Sequence, residues 1–277
     1  MAYSPSTSLI DLFGGCEDLK NGIIRAVGDP ERRFTEDALR IMRAFRFSAQ
    51  LGFDIDGDTL RGAEKCREGL SRIARERIRE EMIKLICSPD SEKPLKLMVE
   101  TGILPYVTGD YCPDEKIFSL LPHMPKGDIA RLGLFLADAH REIASDLLNS
   151  LKCSNKQRIG ALAISQNCHV AVTDATSATR LRALAGDHAY NTACASVLLG
   201  YSPENAPTLV ELSCAPTRIS ELKIGGRELM EIGFSGRELG ETLEWLLSKA
   251  MEQPELNTAE ELRALAEKKF KENEKRE

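Results

Sequence analysis

Glu36-Asp37-Ala38-Leu39-Arg40 places a carboxylate three residues before a guanidinium. On one helix, positions 37 and 40 would project from the same side and could act as a pair. An aspartate accepts a hydrogen bond from an exocyclic amine, such as that of cytosine or adenine, while an arginine donates to the neighbouring ring nitrogen or carbonyl. Uracil and guanine present the opposite arrangement, so such a pair would select C and A. The same spacing also makes an ordinary i,i+3 ion pair, worth roughly a few tenths of a kcal/mol, and spacing alone does not separate the two.

Phe53-Asp54-Ile55-Asp56-Gly57-Asp58 contains two Asp-x-Asp triplets. Alternating carboxylates on a strand can hold the two metal ions of phosphoryl transfer. Here they follow Gly52, which can close a helix, and precede a helix starting near Thr59, so the expectation is an inter-helix turn capped by Asp58 and no metal site. The phosphate-loop, nucleophile-elbow and His-Glu-x-x-His patterns are absent. His123, His140, His169 and His188 are followed by Met, Arg, Val and Ala, so none opens a His-Asp pair. These motifs therefore assign no catalytic residue and no metal ligand.

The pair at 37 and 40 needs a helix beneath it. Leu39, Ile41, Met42, Phe45 and Ala49 supply the apolar positions, Thr35 offers an N-cap, Glu36 and Asp37 suit a first turn and Gly52 can close the last, predicting a helix over 36–51. Ahead of it, strand-like stretches at 8–11 and 23–27 flank the turn Gly14-Gly15. Behind it, helical patterns cover about 59–68, 75–87 and 92–101, then, after a loop-rich link from 106 to 125, 128–151, 154–166, 176–186, 190–199, 204–213 and 238–252. The expected fold is mainly α, with a short two-strand element at its front. Two strands alone are only marginally stable in water, which suggests the edge of something larger.

Composition limits what such a chain can do. Of 277 residues 42% are hydrophobic and 29% charged, and neither an apolar run of about 20 residues nor a basic-then-apolar leader is present. A soluble, cytoplasmic protein that does not enter membranes is expected. The eight cysteines lie singly, without zinc or disulfide spacing, and read as reduced, packed thiols. The net charge of −6 argues against a broadly basic coat, yet residues 20–84 carry 15 basic against 12 acidic side chains, leaving 22 against 31 elsewhere. Anion contacts are therefore expected near the N-terminus.

The text around the pair is more specific than the pair itself. It runs Asp11-x-Phe13-Gly14-Gly15-x-x-Asp18-Leu19, then Ile24-Arg25-x-Val27-Gly28-Asp29-Pro30-x-x-Arg33-Phe34-x-Glu36-Asp37-Ala38-Leu39-Arg40-Ile41-x-Arg43-Ala44-x-Arg46-Phe47. This closely resembles the bacterial class II tRNA nucleotidyltransferases and their poly(A) polymerase relatives. The likeness continues through Gln50-Leu51-Gly52-Phe53, Ile73-x-x-Glu76-Arg77-Ile78 and Gly102-Ile103-Leu104-Pro105. It is weaker at Leu151-Lys152-x-Ser154-Asn155-Lys156 and Pro254-x-Leu256-Asn257-Thr258.

In that family an α/β head comes first, with a Gly-Gly-x-Val-Arg-Asp turn, a metal-binding Asp-x-Asp and an Arg-Arg-Asp-Phe-Thr-x-Asn-Ala segment leading into Ala-Tyr. Met1-Ala2-Tyr3 already stands at that last point. The resemblance thus implies a head remnant at 1–28, a helical neck at 29–108, a body at 109–218 and a tail at 219–277, without the carboxylates that bind catalytic metal. It implies that Asp37 and Arg40 present a template to the base of CTP or ATP, with Arg43 and Arg46 also lining the nucleotide site. At about 100° per residue Arg46 would point away from Asp37 and hold the neck together instead. Arg32 and Arg33 could meet phosphate or only solvent, and Arg75, Arg77 and Arg79, alternating with glutamates, read as a solvated, salt-bridged face.

The implied partners are CTP or ATP, the tRNA acceptor end and a separately encoded head. In the complete enzyme the RNA 3′-hydroxyl would attack the α-phosphate with the help of two Mg²⁺ ions. This chain alone would bind no cofactor and transfer nothing. The alternatives are a non-catalytic RNA- or nucleotide-binding module and a helical scaffold.

Overall fold

The structure, a computed structural model, describes residues 2–4 and 8–274. They fall into two compact units that divide between Gln166 and Asn167. The first opens with β1 (Ala2–Ser4) and β2 (Ser8–Ile10), an antiparallel pair, followed by α1 (Gly15–Asn21), β3 (Ile23–Ile24), α2 (Pro30–Glu36), α3 (Leu39–Leu51), β4 (Asp54–Ile55) and α4 (Gly57–Cys66). A 3-10 turn over Arg67–Arg72 leads into α5 (Arg75–Ile86), α6 (Glu92–Glu100), α7 (Leu104–Thr108), α8 (Glu115–Leu120), α9 (Asp128–Phe135), α10 (Arg141–Ser150) and α11 (Asn155–Asn167).

The fold is mainly α, as expected, and its few strands are short. The two strand-like stretches near the front do not pair with each other. Ser8–Ile10 pairs with Ala2–Ser4, whereas Ile23–Ile24 makes a two-residue parallel bridge with Asp54–Ile55. Sequence periodicity cannot reveal that second pairing, because Asp54-Ile55 is too short to carry a pattern.

One long helix was expected over 36–51, and the structure has two with a break between them. Asp29 caps α2 through the Glu31 amide, and Pro30 at the first position fits because its missing N–H would have no helical partner there. Thr35, the expected cap, lies inside α2 and donates its hydroxyl back to the Glu31 carbonyl. Asp37 leaves the helix with φ −151°, and its Oδ1 accepts the Leu39 amide at 3.1 Å. A short carboxylate that satisfies a nearby backbone donor competes with helix continuation, which is why the break falls at this residue.

From Leu39 onward the apolar positions are those the sequence marked. Leu39, Ile41, Met42, Phe45 and Ala49 are buried and pack toward α5 and α6. Gly52 ends α3 in the left-handed conformation, φ +67°. Helix α5 answers with Ile78, Met82, Leu85 and Ile86, all buried. Arginines brace the helices through backbone carbonyls: Arg131, 6% exposed, donates to Ile86 and Ser88, and Arg75 donates to Tyr106 and Val107.

The second unit contains α12 (Ala175–Ala185), α13 (Ala189–Leu198), α14 (Ala206–Leu212), α15 (Gly226–Ile232), α16 (Gly236–Glu252) and α17 (Ala259–Glu274). Its first three helices close over Val172, Leu181, Ala193 and Val210. Its last three close over Leu229, Phe234, Leu246 and Leu262, with Phe234 and Phe270 edge to face at 5.1 Å. Among the described residues no helix is long and apolar enough to cross a membrane.

Two outcomes test this packing. The crossing of α2 and α4 is close enough that a Cβ on Gly62 would sit 2.7 Å from Pro30 Cβ. Gly62→Ala should therefore cost about 1–3 kcal/mol by overpacking, seen as a lowered urea midpoint with unchanged slope. At the front, the amides of Cys16 and Gly15 hold the Asp11 carboxyl down to about 2 from its ordinary 3.8. A depressed carboxylate stabilises the fold above its ordinary pKa and loses that contribution as pH falls through the folded value, so α1 should loosen between about pH 4 and 2. A carbon-detected NMR titration of Asp11 should find its midpoint near 2, and a midpoint near 4 would contradict the hydrogen bonds from the Gly15 and Cys16 amides.

Candidate functional site

The first unit holds a cavity of about 290 Å³ between the stretch after β3 and the helices α2 and α3. Arg33, Arg40 and Arg43 line it together with Val27, Phe34 and Phe47. Arg25 lines it as well, and four arginines over an apolar floor have the chemistry to suit a flat, hydrogen-bonding, anionic ligand, at the small end of ligand-pocket sizes. Phe47 carries cations on its ring: Arg46 Cζ lies 4.0 Å and Arg43 Cζ 5.8 Å from its centroid.

One wall of the cavity is tied down by the Asp-x-Asp segment. Asp56 caps α4 by accepting the Thr59 amide and hydroxyl, both at 3.1 Å, and Thr59 Oγ1 in turn accepts the Ala26 amide at 3.0 Å. Arg25 joins the same corner, donating to Asp56 at 2.6 Å and to Asp18 at 3.1 Å. The cap is Asp56 rather than the expected Asp58, because the helix starts at Gly57, two residues earlier than its apolar pattern announces. Asp58 pairs with Arg61, and Asp54 with Lys93. The three carboxylates thus serve three different partners.

The sequence-predicted residues are only partly brought together. Arg40 and Arg43 share the cavity, and Arg33, which the sequence left between phosphate and solvent, joins them. Asp37 is not among its lining residues. Because α3 begins only at Leu39, Asp37 and Arg40 do not share a helical face, and each has its own partner. Arg40 Nη1 donates to Glu36 at 2.9 Å and to the Arg33 carbonyl at 3.0 Å. Asp37 Oδ2 accepts from Arg77 Nη2 at 3.4 Å.

Glu36 is the hub that the sequence reading passed over. Its carboxylate meets Arg33 at 2.8 Å, Arg40 at 2.9 Å and Arg32 at 3.5 Å. The hydrogen bond from Arg40, assisted by the other guanidiniums, holds its carboxyl below the ordinary range. The i,i+4 spacing from 36 to 40 was the available signal; the break at Asp37 hid its importance.

Arg46 faces away from the cavity, toward α5. Its Nε stands 2.7 Å from Glu81 Oε2, with side-chain exposures of 13% and 11%. The N–H is not aimed along the contact, so this is a close ion pair rather than a hydrogen bond. Removing one partner of such a pair strands a nearly buried charge, so Arg46→Ala should cost about 3 kcal/mol. The double change Arg46→Met with Glu81→Leu should recover most of it in urea unfolding. A double variant no more stable than Arg46→Ala would show that the pair is not the source of the loss.

Comparison with known proteins places this geometry. Residues 52–110 match the family model described as the probable RNA and SrmB-binding site of polymerase A. The chain is 34% identical over 244 residues to a CCA-adding enzyme of Lactobacillus helveticus, an alignment covering 85% of this chain and 60% of that protein. It is 48% identical over 114 residues to the CCA-adding enzyme of Leuconostoc mesenteroides, covering 41% of this chain and 28% of that one. The chain therefore spans less than two thirds of these relatives. Among solved structures, the Bacillus stearothermophilus CCA-adding enzyme in complex with CTP superposes with a TM-score of 0.79 at 26% identity, covering 99% of this chain and 72% of that one. The Thermotoga maritima CCA-adding enzyme complexed with tRNA shares the fold, with a TM-score of 0.65 at 22% identity over 96% of this chain and 69% of that one. A fold shared almost end to end, together with the motif text around Asp37 and Arg40, establishes that the chain belongs to the class II tRNA nucleotidyltransferase and poly(A) polymerase family and corresponds to its C-terminal portion.

Proposed function

We propose that this chain is the nucleotide-selecting and tRNA-binding part of a tRNA nucleotidyltransferase that adds C, A or CCA to tRNA 3′ ends. The observation that carries the reading is the cavity in which Arg33, Arg40 and Arg43 converge over Phe34 and Phe47, from the helices on either side of the Asp37 break. The CTP complex of a relative aligned over 99% of this chain supports a nucleotide ligand, and the tRNA complex of another supports an RNA partner.

In this reading Arg40 donates to the unprotonated ring nitrogen that C and A both present beside their exocyclic amine, and Asp37 accepts from that amine. Arg43 and Arg33 supply positive charge at the rim. Arg46, paired with Glu81, keeps α3 seated on α5 and acts on the site through that seating.

Asp54, Asp56 and Asp58 do not fit a two-metal site. Asp54, Asp56 and Asp58 are committed to Lys93, Arg25 with Thr59, and Arg61. Among the described residues no group of three or more His, Cys, Asp or Glu is placed to hold a metal ion. We assign Mg²⁺ binding and transfer to an α/β head, supplied in the same chain or as a separate one, and expect the residues described here to be inactive without it. Leu12, Phe13, Leu19, Val27 and Leu51, all about half exposed or more, provide apolar surface for such a head to cover. We retain the division into a neck at 29–108, a body at 109–218 and a tail at 219–277 for the roles these regions would play on tRNA.

The test is incorporation of all four nucleotides into tRNA with Mg²⁺. The chain alone should add none. With a head domain added, CMP and AMP should be incorporated. In that reconstituted enzyme Arg40→Ala should impair CTP and ATP together, by about 1–3 kcal/mol or roughly five- to 150-fold for the loss of one good base contact. Asp37→Ala should admit UTP more readily, because the acceptor that disfavours its carbonyl has gone. Unchanged C and A selection in both variants would sink the template assignment.

A further inference from the structure

Both side chains assigned to the base are already engaged, and their partners come from different places. Arg40 is held by Glu36, four residues away on the same strip of chain. Asp37 is met by Arg77, forty residues on, which projects from α5 inside the segment that matches the RNA-binding family model. Sequence reading put Arg77 on a solvated, salt-bridged face, and it is half exposed and salt-bridged, but its partner is Asp37 and not a glutamate of its own helix. Its neighbours on α5 are differently used: Arg75 donates to the Tyr106 and Val107 carbonyls and Arg79 to the Lys152 carbonyl. Arg77 is thus the α5 guanidinium that reaches the break between α2 and α3.

The contact is built to yield. At 3.4 Å it lies at the outer edge of hydrogen bonding, and the two side chains are 53% and 33% exposed. A backbone phosphate offers Arg77 a better partner, with full charge and oxygens that match the planar fork of the guanidinium. Asp37 would keep its aim meanwhile, since Oδ1 is fixed separately by the Leu39 amide at 3.1 Å.

We propose that Arg77 is a positioning residue that couples RNA engagement to base selection. This rests on the reading that Asp37 faces the incoming base. Without RNA, Arg77 occupies Oδ2 and competes with the exocyclic amine of C or A. A phosphate that draws Arg77 away frees that oxygen. RNA then raises the affinity for CTP and ATP, and by linkage CTP and ATP raise the affinity for RNA by the same factor. UTP gains nothing, because its carbonyl has no use for a freed acceptor. The strength of an exposed ion pair sets the coupling at about two- to fivefold.

The experiment titrates CTP, ATP and UTP into the full chain, with and without a hairpin carrying a tRNA acceptor stem. The wild-type chain should bind CTP and ATP about two- to fivefold more tightly with the hairpin, and UTP equally weakly either way. Arg77→Ala should bind CTP without RNA as tightly as the wild type does with it, show no further gain, and lose about one phosphate contact from the salt dependence of hairpin binding. Arg77→Lys, charged but without the fork, should retain part of the coupling. The Arg77 Nε–H resonance should move when the hairpin is added before any nucleotide. The proposal is overturned if Arg77→Ala keeps wild-type CTP affinity and wild-type enhancement by the hairpin. If CTP never binds while the hairpin does, the assignment of Asp37 to the base fails, and the coupling fails with it.

Discussion

Asp37 interrupts what would otherwise be one helix from Pro30 to Leu51, and the geometry of the site follows from that interruption. By accepting the Leu39 amide, it ends α2 and starts α3 with two residues between them. A continuous helix would carry Arg33, Glu36 and Arg40 along one stripe, pointing into solvent. The break lets Arg40 reach back to the Arg33 carbonyl and to Glu36, so that cations from both helices meet over one apolar floor. Packing fixes the position of the break. Ala38 is 6% exposed, and a Cβ at Gly69 would meet its methyl at 2.9 Å, so the 3-10 turn holds the corner in place.

Charge balance keeps that corner intact. Arg32, Arg33 and Arg40, drawn together at this corner, repel one another, and Glu36 offsets them by accepting from or standing beside all three. The corner is half exposed, so the benefit of each pair is small and salt-sensitive. What the arrangement secures is orientation rather than stability. Stability resides beneath, in the buried faces of α3 and α5 and in the Arg46–Glu81 contact between them.

How much of this could be read in the sequence depends on the range of the interaction. The helical character of the chain and the buried stripe of Leu39, Ile41, Met42, Phe45 and Ala49 were legible, because 3.6-residue periodicity is local information. Motif text pointed to Arg40 and Arg43, which share the cavity, and also to Asp37 and Arg46, which do not line it. The break at Asp37 was not, since its residues have ordinary helix-start composition and the alternative, one long helix capped by Thr35, obeys the same local rules. The bridge between Ile23–Ile24 and Asp54–Ile55 was out of reach because it joins segments thirty residues apart through main-chain atoms. The partners of Glu81 and Arg77 were hidden for the same reason: a glutamate on a helix face carries no mark of the arginine that will meet it.

The manner in which Ala26 is held has a mechanical consequence. The floor of the cavity belongs to α2 and α3 and is seated on the core. Its opposite wall, from Ile24 to Val27, is attached by a two-residue parallel bridge, the Ala26–Thr59 hydrogen bond and the Arg25–Asp56 pair. Floor and wall therefore differ in stiffness. Moving the floor would open voids in a close-packed interior, whereas moving the wall only bends a few polar contacts whose partners can follow. A cleft with one rigid and one compliant face can change its width while the guanidiniums on the rigid side keep their spacing.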